Sequence, residues 1–305
     1  MKVLVTGASG RIGRALVLRL ARQHQVQGLD QTPSSTAHWV GDLGDAALLR
    51  RALRGVHAVV HAAALHAPQV GRVPDAAFWR VNVDATRTLA EAAIAAGVAQ
   101  VVYTSTTALY GAASTPDGAA GWVDERTLPQ PRTVYHRSKL AAEQLLAGFA
   151  DAGAFGLTLL RMGRCFPEPA PQMAVARLHR GIDARDVAEA HALALDNARP
   201  GSRCYLLSGA TPFRHADLAA LKTDAPAVLH QRVPALVQAF ADRGWPLPAA
   251  IDRVYSPALA QQDLGWQPRF GFQSVLQQLD EESPEVLPAG FVTADAVRRQ
   301  PEGCV

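Results

Sequence analysis

Thr6-Gly7-Ala8-Ser9-Gly10-Arg11-Ile12-Gly13 is the stretch on which the reading of this chain turns. It follows an apolar run at residues 3–5. It opens a segment, residues 11–24, that sets Ile12, Leu16 and Leu20 on one helical face. The glycines fall in a GxxGxxG spacing at a strand-to-helix junction. Gly7 permits a tight turn, Gly10 lets a pyrophosphate approach the backbone, and Gly13 lets the helix pack close to the sheet. The free N–H groups and partial positive charge of the helix start then face the phosphates. A Gly-rich turn alone is a weak signal, but its position after the first strand makes a dinucleotide site the sharper reading.

The pattern extends outward from that loop. Residues 26–29 read as a second strand ending at Asp30, ~20 residues beyond the loop, where a carboxylate can accept from both ribose hydroxyls of an adenosine. It would repel a 2′-phosphate, which favours NAD; Arg11 could offset that repulsion, so NADP stays possible. Short strands at 38–40, 58–61, 101–105, 157–162 and 204–207 alternate with helical stretches at 45–53, 76–96, 134–149 and 186–197. Asp45 is placed to cap its helix and Gly97 to end the 76–96 helix. Alternation without hairpin signals predicts an α/β fold, a Rossmann-type doubly wound parallel sheet with a small C-terminal substrate lobe. Residues 1–165 are expected to form the NAD(P)-binding domain. Residues 166–282 are expected to form a lobe interleaved with late sheet elements, and 283–305 a loosely attached tail. The Gly-, Ala- and Pro-rich stretch 111–131 reads as a loop at the ligand side of the sheet. Pro167, Pro169 and Pro171 speak against a regular helix there. Helices are expected again at 234–243 and 272–281.

Composition narrows the function. Of 305 residues 49% are apolar, enough for a sizeable core, and the net charge of +3 carries no basic run suited to nucleic acid. The three cysteines, Cys165, Cys204 and Cys304, fit neither a disulfide framework nor a metal site. With no signal peptide and no apolar stretch long enough for a membrane span, a cytoplasmic enzyme with no membrane or nucleic-acid partner is expected.

Tyr135-His136-Arg137-Ser138-Lys139 opens a helical stretch in a chain whose only other lysines are Lys2 and Lys222. Positions four apart share a helix face, so the ammonium is expected beside the phenol, lowering its pKa from about 10. Tyr135 could then exchange a proton with a substrate oxygen during hydride transfer. Thr104-Ser105-Thr106-Thr107 closes the fifth strand, and one of these hydroxyls could bind the reacting oxygen; β-propensity would equally place them there.

These segments together resemble the extended short-chain dehydrogenase/reductase family, in its NAD-dependent epimerase/dehydratase branch. The matching pieces are Thr6–Gly13, Gly41-Asp42-Leu43, His61-Ala62-Ala63-Ala64, Asn82-Val83-Asp84-Ala85-Thr86, Ser105-Thr106-Thr107-Ala108-Leu109-Tyr110-Gly111, and the Tyr135–Lys139 motif. Asp263-Leu264-Gly265-Trp266-Gln267-Pro268 adds a C-terminal match. The resemblance implies that Gly7, Gly10, Arg11, Ile12 and Gly13 form the pyrophosphate loop and that Asp30 holds the ribose. Asp42 and Leu43 would border the adenine, and His61, Ala62 and Ala63 would flank the cofactor channel. It implies Thr106, Tyr135 and Lys139 as the catalytic set, with Tyr135 and Lys139 also touching the nicotinamide ribose. It further implies a homodimer built on the helices at 76–96 and 134–149, and a sugar or nucleotide-sugar substrate.

The family's long insertion after the strand ending near Arg161 is short in this chain, so a pocket too small for a whole nucleotide-sugar is one expectation. Residues 161–169 locally resemble the uronate dehydrogenases of the same superfamily, which oxidise the anomeric carbon of a free sugar acid. Arg164, Arg177, His66 and Thr107 are the candidate substrate contacts; no arginine falls squarely at the family's carboxylate-binding position, and Arg177 and Arg180 are both close to it. A dehydrogenase and an epimerase share this constellation. A non-catalytic dinucleotide-binding regulator would need the glycine loop but neither Tyr135 nor Lys139. No metal ligands are expected.

Overall fold

The computed structural model describes residues 1–291. The N-terminal apolar run forms β1 (Lys2–Thr6), and α1 (Arg11–Leu20) buries Gly13, Leu16, Val17 and Leu20 against it. Next come β2 (Gln25–Asp30), β3 (Trp39–Val40), α2 (Ala46–Ala52) and β4 (Ala58–His61). Asp45 does cap α2, accepting from the backbone N–H groups of Ala47 and Leu48. After α3 (Asp75–Trp79) and α4 (Ala85–Ala95) come β5 (Gln100–Thr106), β6 (Gly121–Val123), α5 (Val134–Asp151) and β7 (Gly156–Met162). Then follow α6 (Ala170–His179), α7 (Ala184–Asp196) and β8 (Ser202–Leu207). The chain continues through α8 (Leu218–Thr223), α9 (Ala225–Arg232), α10 (Pro234–Asp242), β9 (Arg253–Tyr255), α11 (Ala258–Leu264) and α12 (Phe272–Asp280).

Seven strands pair in the order β3-β2-β1-β4-β5-β7-β8, every pair parallel. The central strands are buried on both faces, which is why they read as unbroken apolar runs. One layer packs α1 and α7 on the sheet around Leu16, Leu20, Val187 and Leu195; the other packs α2, α4 and α5 around Leu49, Leu89 and Leu146. The direction of winding reverses between β1 and β4, so a crevice opens beyond their carboxyl ends. A third core, around Phe213, Leu229, Phe240 and Val254, builds the small lobe.

Four expectations are corrected. The helix expected over 76–96 is broken by a π-helical turn, Arg80–Asp84, between α3 and α4. The prolines at 167–171 do not forbid a helix: Pro169 precedes α6 and Pro171 lies in its first turn, where a missing N–H costs nothing. The 111–131 segment is not all loop, because it contributes β6, which pairs in parallel with β9. The expected loose tail is packed at least as far as Leu287: Val286 is buried and Leu287 bridges to Pro169. The part of that tail beyond residue 291, including Cys304, lies outside the described residues.

The C-terminal motif has a structural task. Trp266 is fully buried, and its indole N–H donates to the Asp186 carbonyl (3.0 Å). The Asp186 carboxylate accepts from the N–H groups of Arg269 (2.8 Å) and Phe270 (3.1 Å). Arg185 pairs with Asp183 rather than with its neighbour Asp186.

Buried imidazoles tie the layers together. His191 on α7 has Nε2 2.8 Å from Thr104 Oγ1 and Nδ1 2.8 Å from the Val187 carbonyl. Burial lowers His61 to about 3 and His179 and His191 to about 4. The unfolded chain therefore binds protons that the folded chain refuses, from about pH 6.5 down to these values. Stability is expected to fall in that window by up to about 1.4 kcal/mol per pH unit for each imidazole. Thermal unfolding midpoints recorded from about pH 7.5 to 5 check this; a flat profile would contradict it.

Candidate active site

The crevice encloses about 1060 Å³ and runs from the glycine loop across the carboxyl ends of β1, β4, β5 and β7 to the small lobe. At its near end Gly7 has φ +70°, and a Cβ there would meet the backbone N of Ala63 at 2.7 Å. A Cβ at Gly13 would lie 1.9 Å from the Gly7 carbonyl oxygen. Helix α1 begins at Gly10 without a side-chain cap, so its first-turn N–H groups are left to face the crevice. Asp30 stands at the rim, its carboxylate accepting from the N–H groups of Ser9 (3.0 Å) and Thr32 (2.8 Å). Ile12, Asp42, Leu43, Ala62 and Ala63 also line this half.

Two cofactor-side expectations change. The His61 side chain is not a crevice wall: it is fully buried, with Nδ1 2.7 Å from Thr6 Oγ1 and Nε2 2.8 Å from Thr86 Oγ1. It braces β1 and β4 against α4 instead. Arg11 does not turn towards Asp30. Its guanidinium pairs with Glu285 from the C-terminal segment and reaches Cys165 Sγ at 3.7 Å. The charge that would have eased a 2′-phosphate is engaged elsewhere.

At the far end β5 distributes its hydroxyls, which sequence alone leaves undivided. Thr104 is spent on His191, and Ser105 donates to Glu143 (2.5 Å). Thr106 lies near the Tyr135 hydroxyl, and both Thr106 and Thr107 line the crevice. Tyr135 and Lys139 stand on the first turns of α5, whose start is fixed by Thr133 accepting from the His136 N–H. Lys139 Nζ donates to the Thr104 carbonyl (2.8 Å) and lies 4.0 Å from the Tyr103 ring centre. The pKa expectation for Tyr135 is reversed: burial pushes its hydroxyl up to about 12, against the lowering effect of the nearby Thr106 side chain. Lys139 aims its ammonium at Thr104 and Tyr103, so it does not offset that desolvation.

Asn82 is a contributor to which the sequence assigns no definite role. It sits in the π-helical turn, is buried, and accepts from the Leu65 N–H (2.8 Å) while donating to the Leu65 carbonyl and to Ser138 Oγ (each 3.0 Å). The irregular turn thus ties the loop after β4 to α5 between Tyr135 and Lys139.

The small lobe supplies a basic wall. Arg164, Arg180 and Arg253 all line the crevice, with His66 stacked on Phe166 at 5.7 Å. Arg164 forms a two-pronged pair with Glu168 (both 2.6 Å), and Arg253 pairs with Asp252 (2.6 Å) and donates to Ser114 Oγ (3.0 Å). Among the described residues the Arg180 Nε is buried without an acceptor, and burial together with Arg164 and Arg253 pushes this guanidinium's pKa down. Arg177 is a correction: it is 2% exposed, bound to Asp183 (3.0 Å), and lies outside the crevice. Arg180, three positions on, turns into the crevice instead. Arg253 and Tyr255 give no sequence signal, because β9 is brought there only by pairing with β6.

A Gly-looped doubly wound sheet with a Thr–Tyr–Lys set at its crevice defines a short-chain dehydrogenase/reductase type of protein. Residues 3–178 match the NAD dependent epimerase/dehydratase family, and the chain belongs to that family. A NAD-dependent glucose-6-phosphate dehydrogenase of Haloferax volcanii is 30% identical over 179 residues, which is 53% of this chain and 67% of that relative. A short-chain dehydrogenase/reductase superfamily protein of Agrobacterium tumefaciens, solved with bound NAD, superposes with a TM-score of 0.67 at 25% identity. The match covers 92% of this chain and 99% of that one. The UDP-glucose 4-epimerase of Thermus thermophilus, solved with NAD, gives 0.66 at 26% identity, covering 91% of this chain and 97% of that one.

Proposed function

We propose that this chain is an NAD-dependent oxidoreductase that acts on a carbinol carbon of a free sugar bearing a carboxylate or phosphate. The observation that carries this is the Arg180 guanidinium, its Nε buried and without an acceptor among the described residues, in the same crevice as Thr106 and Tyr135. A buried polar group without a partner calls for one, and a guanidinium calls for an anion. The short stretch between β7 and α7 and the sugar-phosphate activity named for the Haloferax relative support the same substrate class.

The residues fit a dinucleotide. Gly7, Gly10 and Gly13 with the start of α1 would hold a pyrophosphate, and Asp30 would take the adenosine ribose. The rim carboxylate and the engagement of Arg11 by Glu285 favour NAD over NADP. When bound, the cofactor supplies a hydride acceptor at its nicotinamide ring. Tyr135 takes the proton from the carbinol oxygen, and Thr106 holds that oxygen against the phenol. Lys139 fixes the cofactor-side wall, and Arg180 sets the sugar's orientation by binding its anionic end.

The test is a panel of free sugar phosphates, uronic acids, neutral aldoses and nucleotide-diphosphate sugars with purified protein and NAD, followed by reduced-nicotinamide absorbance and chromatography. Net reduction with an anionic free sugar is expected. Arg180→Met should raise KM for that sugar by about 10- to 100-fold and leave neutral analogues unchanged. Conversion of nucleotide-sugars alone, without net reduction, would replace this reading with an epimerase.

A further inference from the structure

Lys139 lies in an unusual place for an ammonium. It is 2% exposed, and among the described residues its polar contacts are one carbonyl, that of Thr104, and the face of Tyr103. A buried ammonium without a counter-charge sheds its proton. The groups around it from the sheet are neutral: Tyr103 on β5, whose phenol burial pushes up, and His61 on β4, which burial holds unprotonated. Tyr135, one turn earlier on α5, is a neutral hydroxyl.

The next turn of the same face carries a carboxylate. Tyr135, Lys139 and Glu143 are spaced four apart along α5, and Glu143 is only 3% exposed. Glu143 is held on the other side by Arg161 of β7, which donates through Nε (3.1 Å) and Nη2 (2.6 Å), and by Ser105 Oγ of β5 (2.5 Å). Arg161 also donates to the Tyr110 hydroxyl (3.2 Å). Cys204 on β8, near this cluster, stays a thiol because burial raises it to about 12. Glu143 makes its direct ion pair with Arg161, and towards Lys139 it is the carboxylate one turn further along the same buried helix face.

We infer that Glu143 is a positioning residue that keeps Lys139 protonated, and that Arg161 and Ser105 serve to fix this carboxylate beside it. Burial draws Lys139 down to about 7 and Glu143 opposes that fall, so the amine sits close to its switching point at neutral pH. The inference rests on the proposed function only for its meaning in turnover; the lysine's charge can be read without substrate.

The chain has three lysines, Lys2, Lys139 and Lys222. Protein grown with lysine labelled at the side-chain carbon and nitrogen therefore gives three side-chain signals in a nuclear magnetic resonance pH titration. Lys139 is assigned by replacing Lys2 and Lys222 with arginine. Glu143→Gln should lower the Lys139 midpoint by about one pH unit or more. Arg161→Gln, which keeps Glu143 but releases it, should lower the midpoint by less than Glu143→Gln does. The double variant Glu143→Gln/Arg161→Gln contains no unpaired buried guanidinium, so it remains informative if the single Glu143 variant fails to fold; it should show the same fall. A Lys139 midpoint unmoved by loss of Glu143, or lowered equally by Glu143→Gln and Arg161→Gln, would overturn the inference and leave the cluster a purely structural tie. In an active preparation, the alkaline limb of the pH–rate profile should move with the same midpoint.

Discussion

Tyr135→Phe is expected to cut turnover by about 10²- to 10⁴-fold while leaving the fold and dinucleotide binding in place. The ring of Tyr135 packs beside Phe78 in a small apolar cluster with Val134, and phenylalanine preserves that packing. What it removes is the hydroxyl, which lies near Thr106 in the residue pair lining the crevice. The thermal midpoint and the affinity for NAD by calorimetric titration should therefore match wild type, with the loss confined to kcat. Undiminished turnover would mean that another group moves the proton. Because burial holds the hydroxyl at about 12, the wild-type rate should also climb with pH up to the Lys139 midpoint, as the fraction of phenolate rises, and break there as the lysine loses its proton.

Gly13→Ala should be the more damaging change to the cofactor half. The added methyl would lie 1.9 Å from the Gly7 carbonyl oxygen, a backbone atom that cannot swing aside, so α1 must move away from the loop. Overpacking of this kind costs about 1–3 kcal/mol, and the same movement withdraws the helix start from the crevice. Loss of measurable NAD binding together with a lower unfolding midpoint is expected. Gly10→Ala gives the internal contrast, since a Cβ there meets only the Gly7 oxygen at 3.3 Å. It should weaken NAD binding with a small change in midpoint. Equal effects of the two substitutions on stability would show that Gly13 is not the packing position.

Much of this architecture is legible in the order of residues. The parallel core strands show as apolar runs because both faces are covered, and the Gly7–Gly13 spacing and the Tyr135–Lys139 step are local patterns on a strand–helix junction and a helix. The misses have physical causes. Pro171 reads as a breaker, yet its helix starts one residue before it, where proline is tolerated. The basic wall is half visible: Arg164 is local to the motif, but Arg177 and Arg180 differ only in which way the end of α6 turns them, and that is decided by the buried partner Asp183. Arg253 has no local signal at all. The expected lowering of the Tyr135 pKa follows from helix spacing alone; which way the ammonium points, and the desolvation of the phenol, are tertiary facts.

The β6–β9 pair has a consequence for how the chain acquires its form. All seven strands of the main sheet lie within residues 2–207, so that sheet needs nothing that follows Leu207 in order to pair. Gly121–Val123, by contrast, must wait for Arg253–Tyr255, and Pro169 for Leu287. Closing such distant contacts is entropically slow, and chains dominated by them fold late. During synthesis from the N-terminus the nucleotide-facing half can therefore consolidate first, while the basic wall is assembled later, from segments that meet only once Arg253–Tyr255 and Leu287 have emerged.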